Sequence, residues 1–405
     1  MLSKSEFAPR LIAWQRMYGR HDLPWQNTRD PYRIWLAEIM LQQTQVASVI
    51  QYYHRFLARF PDLVTLANAP LDEVMACWSG LGYYARARHL QCCAQKIVHE
   101  YGGVFPCNIE MLVTLPGIGR STASAIAAFA FGARQSILDG NVKRVLTRIF
   151  GIEGFPGAAR VENALWTLAE SLLPPLVAHQ EENISTMRVY TQGLMDLGAL
   201  VCTRTRPHCA RCPFQNDCVA CATHRTHELP QARPKKMKPV RRTLMLILRS
   251  GNSVLLERRA SKGIWGGLWS LPEATDEAEL LACAARFGAF NPFTPLTPIT
   301  HTFTHFQLII EPRLVRLPTC VYANHCLEHF SARLPKKRAR RQYERYGERE
   351  ATQGKPLKNA LASEQAWVPL CNIHQYGLPA PVRRLLISLF HDDEPEHCIH
   401  LSSVR

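Results

Sequence analysis

Two carboxylates and four thiols stand apart from their surroundings. Glu38 is the only charge in the eight-residue run Ile34 to Leu41, IWLAEIML. Burying an unpaired carboxylate is costly, so Glu38 either faces a cleft or stays protonated with a raised pKa. Gln42 and Gln45 lie four and seven residues further on, which predicts one helical face carrying an acid and two amides, suited to a base edge. Asp139 lies in Ile137-Leu138-Asp139-Gly140-Asn141-Val142, at the mouth of a helix. Its purely structural use there is an N-cap. Twenty residues before it, Leu115-Pro116-Gly117-Ile118-Gly119 is a tight turn into a small-residue helix over 121–130. Exposed amides at such a helix start bind a phosphate. The turn is too short for a Walker loop, and no Gly-Lys-Ser/Thr follows it.

Cys202-x6-Cys209-x2-Cys212-x5-Cys218 places four cysteines within seventeen residues, flanked by Arg204, Arg206 and Arg211. This is metal-site spacing, and the ligand type admits either Zn²⁺ or an iron–sulfur cluster. Cys221 is a spare thiol beside them.

The elements that must position these groups are helical over the first half. Residues 7–18 read as a helix closed by Gly19, and 33–60 as one or two helices. In Gly80 to Arg88, GLGYYARAR, two aromatics precede Arg86 and Arg88, a pattern for stacking on bases and holding phosphates. Helices continue from Val161 to Leu200 around a polar loop at 179–183. Beyond Arg242 the period becomes two, with Leu244 to Leu248 and Val254 to Leu256 flanking a Ser250-Gly251-Asn252 turn as a hairpin. His301 to Phe306 is expected to open a further strand, and 366–390 a strand and a final helix.

The 405 residues allow two or three domains, and a formal charge of +15 points to a polyanionic partner, nucleic acid ahead of membrane. The N-terminus has no signal-peptide core and no apolar run is long enough to span a bilayer, so the expected location is cytoplasmic and DNA-associated. Fourteen cysteines without a secretory signal argue against a disulfide framework.

LPW, EIMLQQTQVA, GLGYYARAR, LPGIGRSTASAI, ILDGNVKRVL, MDLGALVCTR with its cysteines, GGLW and HTFTHF together resemble the MutY-type adenine DNA glycosylases over almost the whole chain. The resemblance implies a multidomain protein. An all-α helix-hairpin-helix glycosylase region would occupy 1–228, with an Fe–S loop at 202–218 holding one 4Fe-4S cluster. A basic, Pro-rich linker (229–241) would lead to an α+β Nudix (MutT-like) domain over 242–395, with a charged insertion at about 333–358. It further implies a monomer acting on double-stranded DNA with adenine opposite 8-oxoguanine or guanine, with replication or repair proteins as candidate further partners. Carried onto this chain, Glu38 is the catalytic acid, Asp139 the catalytic aspartate, and Cys202, Cys209, Cys212 and Cys218 the cluster ligands. Gln42 and Tyr83 match residues inserted near the lesion. Arg86, Arg88, Leu115, Gly117, Gly119, Ser121 and Lys143 complete the expected DNA contacts, and Phe303, Thr304 and His305 the reader of 8-oxoguanine. Threonine stands at 304 where the family commonly has serine. Glu273, Glu277 and Glu279 lack Nudix-box spacing, so pyrophosphate hydrolysis is not expected. Bifunctional relatives resembling endonuclease III carry a lysine where this chain has Ser121, so a monofunctional glycosylase is expected. The competing readings are a glycosylase/lyase of that branch and a non-catalytic Fe–S DNA-binding protein.

Overall fold

The computed structural model describes residues 2–233, 237–289, 293–317 and 364–391, and the charged insertion at 333–358 lies outside them. The chain divides into two compact units, Met1–Met237 and Lys238–Arg405.

The first unit is helical. Its helices are α1 Lys4–Tyr18, α2 Pro31–Leu41, α3 Val46–Arg59, α4 Leu63–Asn68, α5 Leu71–Trp78, α6 Ala85–Tyr101, α7 Ile109–Leu112, α8 Arg120–Phe131, α9 Gly140–Phe150, α10 Ala159–Ser171, α11 Gln180–Asp196 and the short α12 Val219–Ala222. Local chemistry sets many of the boundaries. Asp30 caps α2 by accepting from the Tyr32 amide, and Pro31 supplies a first residue that needs no donor. Left-handed Gly132 and Gly151 stop α8 and α9, a conformation that costs glycine little. A π-helical turn, Leu197–Val201, extends α11 into the cysteine loop.

Helix α1 is central to one core. Phe7, Leu11 and Trp14 pack with Val142, Val145 and Leu146 of α9, and with Met187, Tyr190 and Leu194 of α11. Phe7 also stacks on Phe214 of the cysteine loop at 4.6 Å. Helix α2 packs on α8, α3 and α6, so the Glu38 helix and the helix after the Gly-rich turn are direct neighbours.

One expectation fails here. Glu38, Gln42 and Gln45 do not share a helical face, because α2 ends at Leu41, Gln42 is its extended C-cap, and Gln45 caps α3. A left-handed Gln43, φ 58°, turns the chain between the two helices.

The second unit is a mixed sheet with helical cover. Its strands are β1 Val240–Ser250, β2 Ser253–Arg258, β3 Trp269–Ser270, β4 Glu273–Ala274, β5 Thr294–Pro295, β6 Ile299–Thr302, β7 Gln307–Leu317 and β8 Gln365–Pro369; its helices are α13 Glu277–Ala285 and α14 Ala380–His391. The main order is β3-β2-β1-β7-β5, and the central β1 and β7 pair in parallel along their full length. β1 and β2 form the expected hairpin, while Leu280 and Ala284 of α13 cover Leu244, Leu246 and Leu248. Residues 301–306 do not begin a strand. β6 ends at Thr302, and 303–306 turn the chain into β7, with the Phe303 amide donating to the Phe306 carbonyl at 2.8 Å.

Candidate active site

Glu38 projects from α2 into a cavity of about 380 Å³ whose wall also includes Gln15 of α1, Trp25, Phe129 of α8, and Arg188 and Gln192 of α11. Burial, then the nearby charge of Asp139, pushes the Glu38 carboxyl up to about 8. Both effects disfavour its anion. The group keeps some accessible surface because it faces the cavity, yet it lies deep within the unit.

Asp139 is held as the N-cap of α9. Its Oδ1 accepts from the Val142 amide at 2.7 Å. Burial raises its pKa, while hydrogen bonds from the Val142 and Asn141 amides and the charges of Arg144 and Lys143 pull it down. The cap and the candidate catalytic group are thus one residue. Capping fixes the carboxylate rather than using it up, because a carboxylate has further acceptor sites. From the other side, Ser121 Oγ accepts from the Leu138 amide at 3.1 Å, so the first turn of α8 grips the backbone next to Asp139.

Further residues brace this arrangement that the sequence did not single out. Fully buried Asp196 accepts from the Arg20 amide at 2.9 Å, from Arg20 Nε at 2.7 Å and from Gln192 Nε2 at 2.8 Å, joining two sides of the cavity. Arg144 of α9 donates to the carbonyls of Gly198 at 2.8 Å and Cys202 at 2.7 Å, and to Asn141 Oδ1 at 2.7 Å. Arg148 donates to the carbonyls of Thr203 at 2.6 Å, Arg204 at 3.0 Å and Leu229 at 2.7 Å. The two arginines stand one turn apart on the helix that Asp139 caps. That i, i+4 spacing was the available signal, though a solvated basic face reads the same way.

The four expected cysteine ligands and Cys221 line one pocket beside Leu197, Val201 and Arg148. Burial first, then the neighbouring sulfurs, pushes the Cys212 thiol up to about 12 and raises Cys218, while an amide hydrogen bond from Cys221 holds Cys218 lower. Several thiolates side by side need a cationic centre to offset their charge. Arg148 Nη1 also approaches Cys202 Sγ at 3.5 Å. Among the described residues no three ligating side chains gather closely enough to share a single ion.

The expected DNA-contacting residues divide into two groups. Tyr83 is exposed and left-handed, φ 50°, on a turn with left-handed Gly80 and Gly82, so its ring is presented outward at some backbone cost. Gln42 Nε2 donates to Thr122 Oγ1 at 3.3 Å, which ties the α2 end to α8. Gly119 begins α8 without a side-chain cap, leaving its first amides available. Left-handed Gly117, φ 78°, would place a Cβ 2.9 Å from His89 Cβ, so only glycine fits this turn. Leu115 is buried, so it contributes backbone and not a side chain. Arg88 is half-buried in the first turn of α6. Lys143 pairs with Glu162 at 2.8 Å.

Arg86 is a correction. It is buried, and its guanidinium donates to the carbonyls of Ile39, Met40, Leu81 and Gly82 and to Thr44 Oγ1. It fastens the 80–83 turn to the end of α2, and its one unpaired donor, Nε, is buried away from any phosphate.

In the second unit, Phe303 stacks on Phe306 at 4.6 Å, and Lys238 Nζ donates to its carbonyl at 2.8 Å. Thr304 and His305 are exposed beside it at the tip of the β6–β7 turn.

Residues 36–171 match the family model for HhH-GPD superfamily base excision DNA repair proteins, and 243–388 match a NUDIX domain. The adenine DNA glycosylase of Buchnera aphidicola from Acyrthosiphon pisum is 36% identical over 318 residues, 78% of this chain and 88% of that one. The adenine DNA glycosylase of Buchnera aphidicola from Schizaphis graminum is 31% identical over 384 residues, 94% of this chain and 97% of that one. The chain belongs to the adenine DNA glycosylase family. The adenine DNA glycosylase of Mus musculus is 44% identical over a shorter stretch of 223 residues, 53% of this chain and 41% of that one. Membership in the adenine DNA glycosylase family makes this a base-excision repair enzyme with a helix-hairpin-helix glycosylase unit and a Nudix-like unit. No helix among the described residues is long and apolar enough to cross a membrane.

Proposed function

We propose that this enzyme is a monofunctional glycosylase that removes adenine from mispairs with 8-oxoguanine or guanine. One observation carries the reading: the charge of Asp139 adds to burial in raising Glu38 to about 8, while amide donors and cationic neighbours at Asp139 offset part of the rise that burial imposes there. Adenine is a poor leaving group as an anion, and its departure builds positive charge on the deoxyribose. Glu38, protonated at neutral pH, donates to N7 of the extruded base. Burial raises the pKa of Asp139, and its amide donors and cationic neighbours oppose that rise; as the anion it stabilises the oxocarbenium ion or captures it. This is glycosidase acid–base logic applied to a nucleoside. The base must leave the helix stack to reach the cavity, and exposed Tyr83 with Gln42 at the α2–α8 junction supports a role in filling the gap. The uncapped start of α8 supports a phosphate contact.

Ser121 has no amine for a Schiff base, and the Lys143 amine is paired with Glu162, both of which favour hydrolysis without strand cleavage. In the second unit, Thr304 and His305 on an exposed turn support lesion reading by residues 303–305.

Cys202, Cys209, Cys212 and Cys218 would hold one 4Fe-4S cluster. Soft thiolates around an apolar pocket fit such a group. When bound, the cluster cross-links the loop that Arg144 and Arg148 tie to α9. The enzyme acts on DNA in the cytoplasm as a monomer. Base release from duplexes containing adenine opposite 8-oxoguanine, guanine or thymine tests the reading, with cleavage of the adenine strand requiring added alkali.

A further inference from the structure

Tyr83 stands exposed on the turn between α5 and α6, and that turn does not hold its own shape. Gly80 and Gly82 are left-handed at φ 106° and 72°, and Tyr83 itself is left-handed at φ 50°. A bulky residue keeps that conformation only where its surroundings impose it. Ser79, at the start of the turn, contributes no side-chain bond, since its Oγ is buried without a partner.

The constraint comes from outside the turn. Tyr52 of α3 donates from its hydroxyl to the Ser79 carbonyl at 3.0 Å. The same hydroxyl fills the notch over Gly80, where any Cβ would collide with it. Three residues further along α3, Arg55 stacks its guanidinium on the Tyr52 ring at 4.5 Å and donates to the Cys77 carbonyl at 2.6 Å. Helix α3 therefore grips the entry to the turn at two carbonyls. Buried Arg86 and Trp78 grip its exit, donating to the carbonyls of Leu81 and Gly82. Tyr52 is only half-buried and Arg55 is exposed, whereas Val49, Tyr53 and Phe56 are the residues that α3 gives to the core. Tyr52 and Arg55 thus meet the turn from the flank of α3, outside its core-facing side.

We infer that Tyr52 is a positioning residue whose hydroxyl, backed by Arg55, holds the turn so that Tyr83 is poised for insertion before the adenine leaves the stack. A wedge ordered in advance loses less freedom on insertion than one ordered by the DNA. The inference rests on the proposed gap-filling by Tyr83 and extends that role to α3.

The test is a double-mutant cycle in single-turnover adenine release from duplexes with adenine opposite 8-oxoguanine. Tyr52→Phe keeps the ring and its stacking and removes one hydroxyl. With Tyr83 in place it is expected to slow release about fivefold, as one lost hydrogen bond requires. In a Tyr83→Ser background it is expected to change nothing, because the residue it acts through is gone. A merely structural role, holding α3 against α5, would slow both backgrounds alike. Equal slowing in the two backgrounds, or slowing in neither, overturns the inference. If Tyr52→Phe does not fold, Arg55→Gln, at an exposed position, enters the same cycle and the same outcomes decide. Wild-type release by Tyr83→Ser would instead reject gap-filling by Tyr83, and absence of release by the wild-type protein would reject the proposed function itself.

Discussion

Replacing Glu38 with glutamine should stabilise the protein at neutral and alkaline pH while abolishing its activity. The carboxyl lies near 4.5 in an unfolded chain and is pushed up to about 8 in the fold. A folded value above the unfolded one means that its contribution to stability is complete below about pH 4.5. It is then lost progressively as pH rises towards 8. At about 1.4 kcal/mol per pH unit, the folded state gives up roughly 3 kcal/mol by pH 7 and about 5 kcal/mol above pH 8. Glutamine keeps the shape and does not titrate. Denaturant unfolding of wild type and Glu38→Gln from pH 5 to 9 should therefore show the mutant gaining steadily on wild type, with the gap levelling beyond about pH 8. Loss of the proton donor should meanwhile lower adenine release about 10²–10⁴-fold. For wild type, release should fall roughly tenfold per pH unit above that value as Glu38 ionises. Parallel stability profiles for the two proteins would refute the argument, since they would mean that Glu38 is not held protonated by the fold.

Ser121→Ala removes the acceptor of the Leu138 amide and should slow single-turnover release about tenfold with little change in melting temperature. Ser121→Thr should restore the rate, and a wild-type rate in the alanine variant would remove the positioning role. Arg86→Met strips donors from four buried carbonyls and should cost about 3 kcal/mol in denaturant unfolding, with the salt slope of DNA binding unaltered. A slope shallower by about one would reinstate a phosphate contact. Cys212→Ala should abolish the broad visible absorption expected of the cluster and lower the melting temperature by roughly 10 °C, since about 3 kcal/mol is at stake in a unit of this size. A colourless wild-type protein containing zinc would contradict the cluster assignment.

Much of the site was legible because chemistry and local pattern coincide there. An acid alone in an apolar run, a glycine turn before a small-residue helix, and four closely spaced cysteines are each visible along the chain. Asp139 satisfied its structural reading, and the hydrogen bond that caps α9 also fixes the carboxylate on which the catalytic proposal rests. What the sequence concealed depended on tertiary choices. Arg86 looked like a phosphate ligand because arginines beside aromatics usually face solvent, but the turn at 80–83 leaves carbonyls that only a buried guanidinium reaches. The break at Gln43 between α2 and α3 has no proline or glycine to announce it, so the glutamines appeared to share the Glu38 face.

The central claim is that Glu38 and Asp139 act as an acid and an anion on one adenine. It is tested most directly by base release from duplexes with adenine opposite 8-oxoguanine, guanine and thymine, with and without alkali, for wild type and Asp139→Asn. Asparagine still caps α9, so the fold is retained while the anion is lost. Alkali-dependent cleavage of the adenine strand, confined to the two mispairs and lost in Asp139→Asn, is the predicted result. Release at the wild-type rate by Asp139→Asn would contradict the claim.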